Sequence, residues 1–144
     1  MTTQFNRIAL VAMIILQSCQ TAAVAQSSHI SDSRAINAII GEAEGESYEG
    51  KVGIAYAIIN RGSLKGVFGE KSPRVIHRLY SQATYEEVKA AWEFAKANPE
   101  DDNTNGATGW GNKTDTKIFS QKQWFKKCHY TARIGNQFFY ACKE

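Results

Sequence analysis

The sequence predicts a small, mainly helical α+β domain that ends in a β-hairpin. Three observations carry that reading. Apolar residues recur at helical spacing in four stretches between residues 34 and 97. The period then changes to strict alternation after residue 128. The 144 residues, 43% hydrophobic and 22% charged, have ordinary globular composition, which excludes wholesale disorder and coiled coil.

Ser31-Asp32-Ser33 supplies helix caps. Ala35, Ile36, Ile39, Ile40 and Ala43 form the apolar stripe of a first helix over about 34–43, with Gly45 able to end it. A second helix opens at Tyr48-Glu49-Gly50 and stops at Asn60-Arg61-Gly62. Its apolar residues Val52, Ile54, Ala55, Tyr56, Ile58 and Ile59 cover most of its circumference, so it belongs in the centre. Residues 63–71 read as a loop. Pro73 after Ser72 starts a short third helix, with Val75, Ile76, Leu79 and Tyr80 as its expected buried side. Thr84-Tyr-Glu-Glu87 has the pattern of a capping box for a fourth helix, which continues through Val88, Ala91, Trp92 and Ala95 to Asn98-Pro99. Residues 100–114 form a long polar stretch with three glycines, of the kind that is usually functional. His129 to Ile134 alternates as a half-buried strand. Gly135-Asn136 is the turn, and Gln137 to Cys142 the return strand.

The N-terminus reads as an export segment. One base, Arg7, precedes nine unbroken apolar residues, Ile8 to Leu16. That run is too short to span a hydrocarbon core of ~30 Å. Ala23-Val24-Ala25 is a small-x-small cleavage site. Two other readings stand beside it: lipidation at Cys19 within Leu16-Gln-Ser-Cys19, and an uncleaved weak anchor. All three place the domain outside the cytoplasm, periplasmic or secreted. Cleavage after Ala25 leaves residues 26–144 as one domain, with 16 bases, 14 acids and the cysteine pair Cys128 and Cys142. A disulfide is permitted there. It would flank the hairpin and stabilise by about 3 kcal/mol in the chain-entropy model. A charge of +2 gives no electrostatic case for nucleic acid. The histidines show no metal-ligand spacing, and no cofactor is expected. A monomer without a stable membrane span is expected.

One feature exceeds the needs of a plain fold. Glu42, Glu44, Glu46 and Glu49 fall within eight residues. Three can face solvent. Glu42 adjoins Ile39, Ile40 and Ala43 at the edge of the buried stripe. A carboxyl held against apolar surface is disposed to act as a general acid.

The run Ile40-Gly-Glu-Ala-Glu-Gly-Glu-Ser-Tyr-Glu-Gly-Lys-Val52, followed by Ala57-Ile-Ile-Asn-Arg61, resembles the SleB-type cell-wall hydrolases of spore-cortex lysis and phage genomes. Asp102-Asn-Thr-Asn-Gly-Ala107 with Trp110 is similar to that family's Asp-x-Thr-x-Gly-Ala segment and its aromatic follow-on. Trp124 and Ile134 to Tyr140 are similar to its closing hairpin. The likeness spans residues 35–140. Glu44 stands where the family usually has Arg, the family's Phe-Ser segment is not visible, and the region from Gly66 to Gln82 is short.

The resemblance implies a lysozyme-like fold and cleavage of the MurNAc–GlcNAc bond of peptidoglycan, with peptidoglycan as partner and Glu42 as catalytic acid. It favours lytic transglycosylation by a single Glu over hydrolysis. Hydrolysis would need a second carboxylate, for which Glu46, Asp101, Asp102 and Asp115 are candidates. A non-catalytic envelope glycan-binding protein is the competing class. Asn60, Arg61, Trp110 and Glu46 are candidate substrate contacts. For Asn60 the alternative is helix termination, for Arg61 a fold-stabilising cation, and for Trp110 core packing. Trp92, Trp124 and Tyr140 are expected in the core.

Overall fold

The computed structural model describes residues 30–43 and 45–143. The export segment, Cys19, His29 and Glu44 lie outside the described residues.

Among the described residues five helices and a small sheet follow one another: α1 (Asp32–Glu42), α2 (Tyr48–Arg61), α3 (Pro73–Ile76), α4 (Gln82–Ala97), β1 (Gly109–Gly111), α5 (Lys113–Phe119), β2 (Cys128–Ile134) and β3 (Gln137–Cys142). Short 3₁₀ turns sit at Gly69–Lys71, Pro99–Asp101 and Gln123–Lys127. The sheet is antiparallel, in the order β1-β3-β2. It is a mainly helical α+β architecture, and the hairpin is where the alternation places it.

The predicted central helix is the centre. Every residue of α2 from Gly50 to Ile58 is buried. One of them is Lys51, whose ammonium donates to the Glu46 carbonyl at 2.9 Å and to Glu87 Oε2 of α4 at 3.1 Å. Partnering of this kind is what makes a buried cation tolerable. Gly62 ends the helix in the left-handed region, at φ 65°, where glycine carries no steric cost. α1 and α4 pack beside α2, tied to each other where Asp32 accepts from Trp92 Nε1 (2.8 Å) and Lys96 Nζ (2.8 Å). The sheet lies on α2 at Gly53. A Cβ there would come within 2.8 Å of the fully buried Phe139 ring.

Several expectations are corrected. α3 is a single turn, capped by Ser72 as expected, yet Ile76 and Leu79 are 61% and 62% exposed. One turn is too short to present a stripe, and the chain leaves it through Arg78 at φ 51°. The N-cap of α4 is Ser81, whose Oγ accepts from Thr84 N at 3.0 Å. Thr84 therefore lies inside the first turn and is not the cap. The polar stretch 100–114 contains β1, whose three residues pair with Phe138–Tyr140, so the hairpin is the larger part of a three-stranded sheet. Trp124 is not core: it is 51% exposed. Trp92 and Tyr140 are buried as expected. Cys128 and Cys142 face each other in the strand register and form the disulfide.

Candidate functional site

Glu42 is the last residue of α1, partly buried, beside a strap formed by residues 63–72. The strap lies on α1 because glycines meet there. A Cβ on Gly41 would sit 2.1 Å from the Gly69 carbonyl oxygen, and a Cβ on Gly69 would sit 2.1 Å from the Ala38 carbonyl oxygen. The Arg34 guanidinium fastens the strap by a two-point contact with Glu70, at 2.9 and 2.8 Å. This close seating brings the backbone amides of Phe68 and Gly69 onto Glu42 Oε1, at 3.0 and 2.7 Å. Among the described residues none bonds the other oxygen, Oε2. A carboxyl proton therefore belongs on Oε2, the oxygen not already saturated with donors.

Phe68 adds a feature that periodicity did not reveal. Its amide holds Glu42 while its ring is 70% exposed, the most open large apolar side chain among the described residues. The available signal was an aromatic residue between Gly66 and Gly69, in a loop with no apolar stripe to join.

Three of the other acidic candidates, Glu46, Asp102 and Asp115, are engaged elsewhere. Glu46 is 9% exposed and reaches the hairpin turn, where Oε2 accepts from Asn136 N (3.2 Å) and Oε1 from Gln137 Nε2 (3.3 Å). Gly50 is buried directly beneath the Glu46 side chain, where a Cβ would crowd it at 3.1 Å. Asp102 organises its own loop. Oδ1 accepts from Thr104 N (2.8 Å) and Thr104 Oγ1 (2.6 Å); Oδ2 accepts from Gly106 N (2.9 Å) and Asn60 Nδ2 (2.8 Å). Partial burial pushes the Asp102 pKa up, but hydrogen bonds from Thr104, Asn60 and Gly106 outweigh it and hold the group below the ordinary carboxylate range. Asp115 closes a capping box at the start of α5, accepting from Asn112 N at 3.0 Å. Asp101 is exposed in the 3₁₀ turn after α4.

Of the expected substrate contacts, Asn60 spends its amide on Asp102 and on the Ala107 carbonyl (3.1 Å), locking the Asp-x-Thr-x-Gly-Ala loop to the end of α2. The Arg61 guanidinium donates to the Lys65 carbonyl and so props the strap. Burial lowers its pKa from the usual guanidinium value. Trp110 lies opposite Phe139 in the sheet register, on the face turned to α2, and packs partly buried against the core. Glu42 and the hairpin tip are joined by the short connection between α1 and α2. Glu46 follows Glu42 by four positions, a reach of at most roughly 14 Å. No group of side chains among the described residues is arranged to hold a metal ion.

No family model matches the chain, and no curated protein matches it. By structure it is similar to the catalytic domain of the germination-specific lytic transglycosylase SleB from Bacillus anthracis. The TM-score is 0.52 at 26% identity, covering 81% of this chain and 98% of that one. It is also similar to the catalytic domain of the Bacillus cereus SleB protein, with a TM-score of 0.48 at 25% identity, covering 81% and 94%. The architecture built up above, a helical body around α2 with a small antiparallel sheet, matches that of the SleB catalytic domain, a lysozyme-like fold.

Proposed function

We propose that this chain is an exported peptidoglycan-cleaving enzyme, a lytic transglycosylase of the MurNAc–GlcNAc bond in which Glu42 is both acid and base. The observation that carries the reading is the asymmetric Glu42 carboxyl: two backbone amides fix Oε1, and Oε2 is open. Likeness to a lytic transglycosylase catalytic domain supports the reaction class. The Cys128–Cys142 disulfide supports an oxidising compartment outside the cytoplasm.

Glu42 Oε2–H protonates the glycosidic oxygen, and the bond to the muramic-acid C1 breaks. The N-acetyl oxygen of the same sugar stabilises the positive charge left at C1. The Glu42 carboxylate then takes the proton of the 6-hydroxyl, whose oxygen attacks C1 and closes a 1,6-anhydro ring. The proton given up is recovered, and no water is consumed. A single-acid route is favoured because Glu46, Asp102 and Asp115 each accept hydrogen bonds within the protein. Phe68, whose amide holds Glu42, offers an exposed ring for a pyranose face, and Trp110 is a second, partly buried one. Asn60, Arg61 and Glu46 act indirectly, by fixing the Asp102 loop, the strap and the hairpin turn.

Mass spectrometry of sacculi digested by the protein tests the reaction. Anhydro-muropeptides are expected. Reducing-end muropeptides would replace this mechanism by hydrolysis, and free stem peptides would remove the glycosidase reading altogether.

A further inference from the structure

The C-terminal quarter differs in charge from the rest of the domain. Residues 26–112 carry nine bases and twelve acids; residues 113–144 carry seven bases and two acids. All seven of those bases are exposed: Arg133, over the Phe138 ring, and the six lysines Lys113, Lys117, Lys122, Lys126, Lys127 and Lys143. The ion pairs Arg34–Glu70, Lys51–Glu87, Lys89–Glu93 and Lys96–Asp32 all involve residues before 98. Among the described residues none of the six lysines forms one.

The same surface carries fixed aromatic rings. Trp124 is braced by Phe119 (centroids 5.3 Å apart) and stands edge-on to Phe125 at 5.6 Å. Phe125 packs on the buried Tyr140 at 4.8 Å, and Tyr140 on Tyr130 at 6.2 Å. The two ends of this series are open, with Trp124 51% and Tyr130 57% exposed. Both rings are therefore held by packing yet uncovered. Lys143 N donates to the Lys127 carbonyl at 3.2 Å, which gathers Lys126, Lys127 and Lys143 at the disulfide end of the hairpin. Glu46 holds the opposite end. Seven residues of β2 at ~3.3 Å each put about 20 Å between them.

We propose that this surface is a second, non-catalytic binding site for a peptidoglycan strand, with Trp124 and Tyr130 stacking on sugar faces and the lysines facing stem-peptide carboxylates. It rests on the function proposed above insofar as peptidoglycan is the polymer this enzyme meets. Charge complementarity selects an anionic partner. Uncovered aromatic rings between the lysines select one with sugar faces. The disulfide places the surface where nucleic acid is not the ambient polyanion. A seven-residue α5 presents too little apolar surface for a membrane-lying helix. The site would keep the enzyme on an insoluble substrate between cuts.

The test is co-sedimentation with purified sacculi freed of covalently attached anionic polymers, using Glu42→Gln so that the sacculi stay intact. Lys117→Gln/Lys122→Gln/Lys126→Gln/Lys127→Gln in that background should bind about tenfold more weakly, a few tenths of a kcal/mol per exposed charge pair, and lose most of its salt dependence. Trp124→Ala should weaken binding independently of salt. The same lysine variant with Glu42 intact should cut short soluble glycan oligomers at the parent rate and sacculi more slowly. Equal sedimentation of parent and lysine variant overturns the proposal. So does binding to anionic vesicles or DNA that exceeds binding to stripped sacculi. Bound fraction and released muropeptides are separate readouts, so failure of Glu42 as the acid leaves the binding comparison intact.

Discussion

Glu42 and Asp102 are both carboxylates that accept backbone amides, and under the proposed function the contrast between them separates a working group from a building one. Asp102 uses both oxygens, each with two donors, all inside its own loop or from Asn60. Glu42 uses one oxygen, with two donors from a strap that glycine contacts press onto α1. A saturated carboxylate fixes a fold. A half-saturated one at the end of a helix is held still with an oxygen to spare, which is what general acid catalysis needs.

Short of replacing Glu42 itself, the largest expected effect comes from breaking its support without touching it. In Gly69→Ala the new Cβ would strike the Ala38 carbonyl at 2.1 Å and Glu42 Cγ at 2.8 Å. Neither the helix backbone nor the strap can yield cheaply. Thermal unfolding should report a loss of about 3 kcal/mol, and cleavage of sacculi should fall at least roughly 100-fold through misplacement of the carboxyl.

Opening the disulfide comes next. Cys128→Ser/Cys142→Ser should cost about 3 kcal/mol, the value expected for a closed loop near 15 residues, while folded enzyme at low temperature keeps its rate. Denaturant titration and sacculus turbidity measured together check both halves.

Asp102→Ala leaves the Thr104 hydroxyl and amide, the Gly106 amide and Asn60 short of an acceptor, and Thr104 is fully buried. A loss of about 2 kcal/mol is expected. The pH dependence sharpens the contrast. The folded-state pKa of Asp102 is depressed, so its contribution is complete above the unfolded value near 3.8 and is lost as pH falls through the lower folded value. The parent should therefore lose stability on acidification below about pH 4 more steeply than Asp102→Asn, as unfolding midpoints across that window would report.

The smallest effect belongs to Phe68. The ring is exposed, so Phe68→Ala should change stability by less than about 0.5 kcal/mol. It should raise KM on glycan oligomers about fivefold, near 1 kcal/mol of binding, with kcat less affected. An unchanged KM would remove the ring from substrate binding.

Much of the helical body was legible because α2 is apolar around most of its surface and Asn60-Arg61-Gly62 marks its end. The sheet was legible only where alternation was long enough. β1 has three residues, Gly-Trp-Gly, and owes its form to pairing with β3 rather than to any local pattern. α3 and α5 span four and seven residues, too few for a stripe to declare itself. The motif residues were legible as a group but not in their division of labour. Gly41 admits the strap, Gly50 makes room for Glu46, and Glu46 holds the hairpin turn. Asn60 holds the Asp102 loop. These roles depend on partners up to 91 residues away, which no local spacing encodes. Phe68 escaped for the same reason: its place beside Glu42 is set by the meeting of Gly41 and Gly69.

The central claim is that Glu42 alone among these carboxylates performs the chemistry. Initial rates of glycan cleavage on purified sacculi, compared at equal folded fraction for Glu42→Gln, Glu46→Gln and Asp102→Asn, test it most directly. A loss of roughly 100- to 10,000-fold is expected for Glu42→Gln, the range of a lost general acid, with rates close to the parent for the other two. A Glu42→Gln protein that cleaves at the parent rate, or an equal loss in Glu46→Gln or Asp102→Asn, would contradict it.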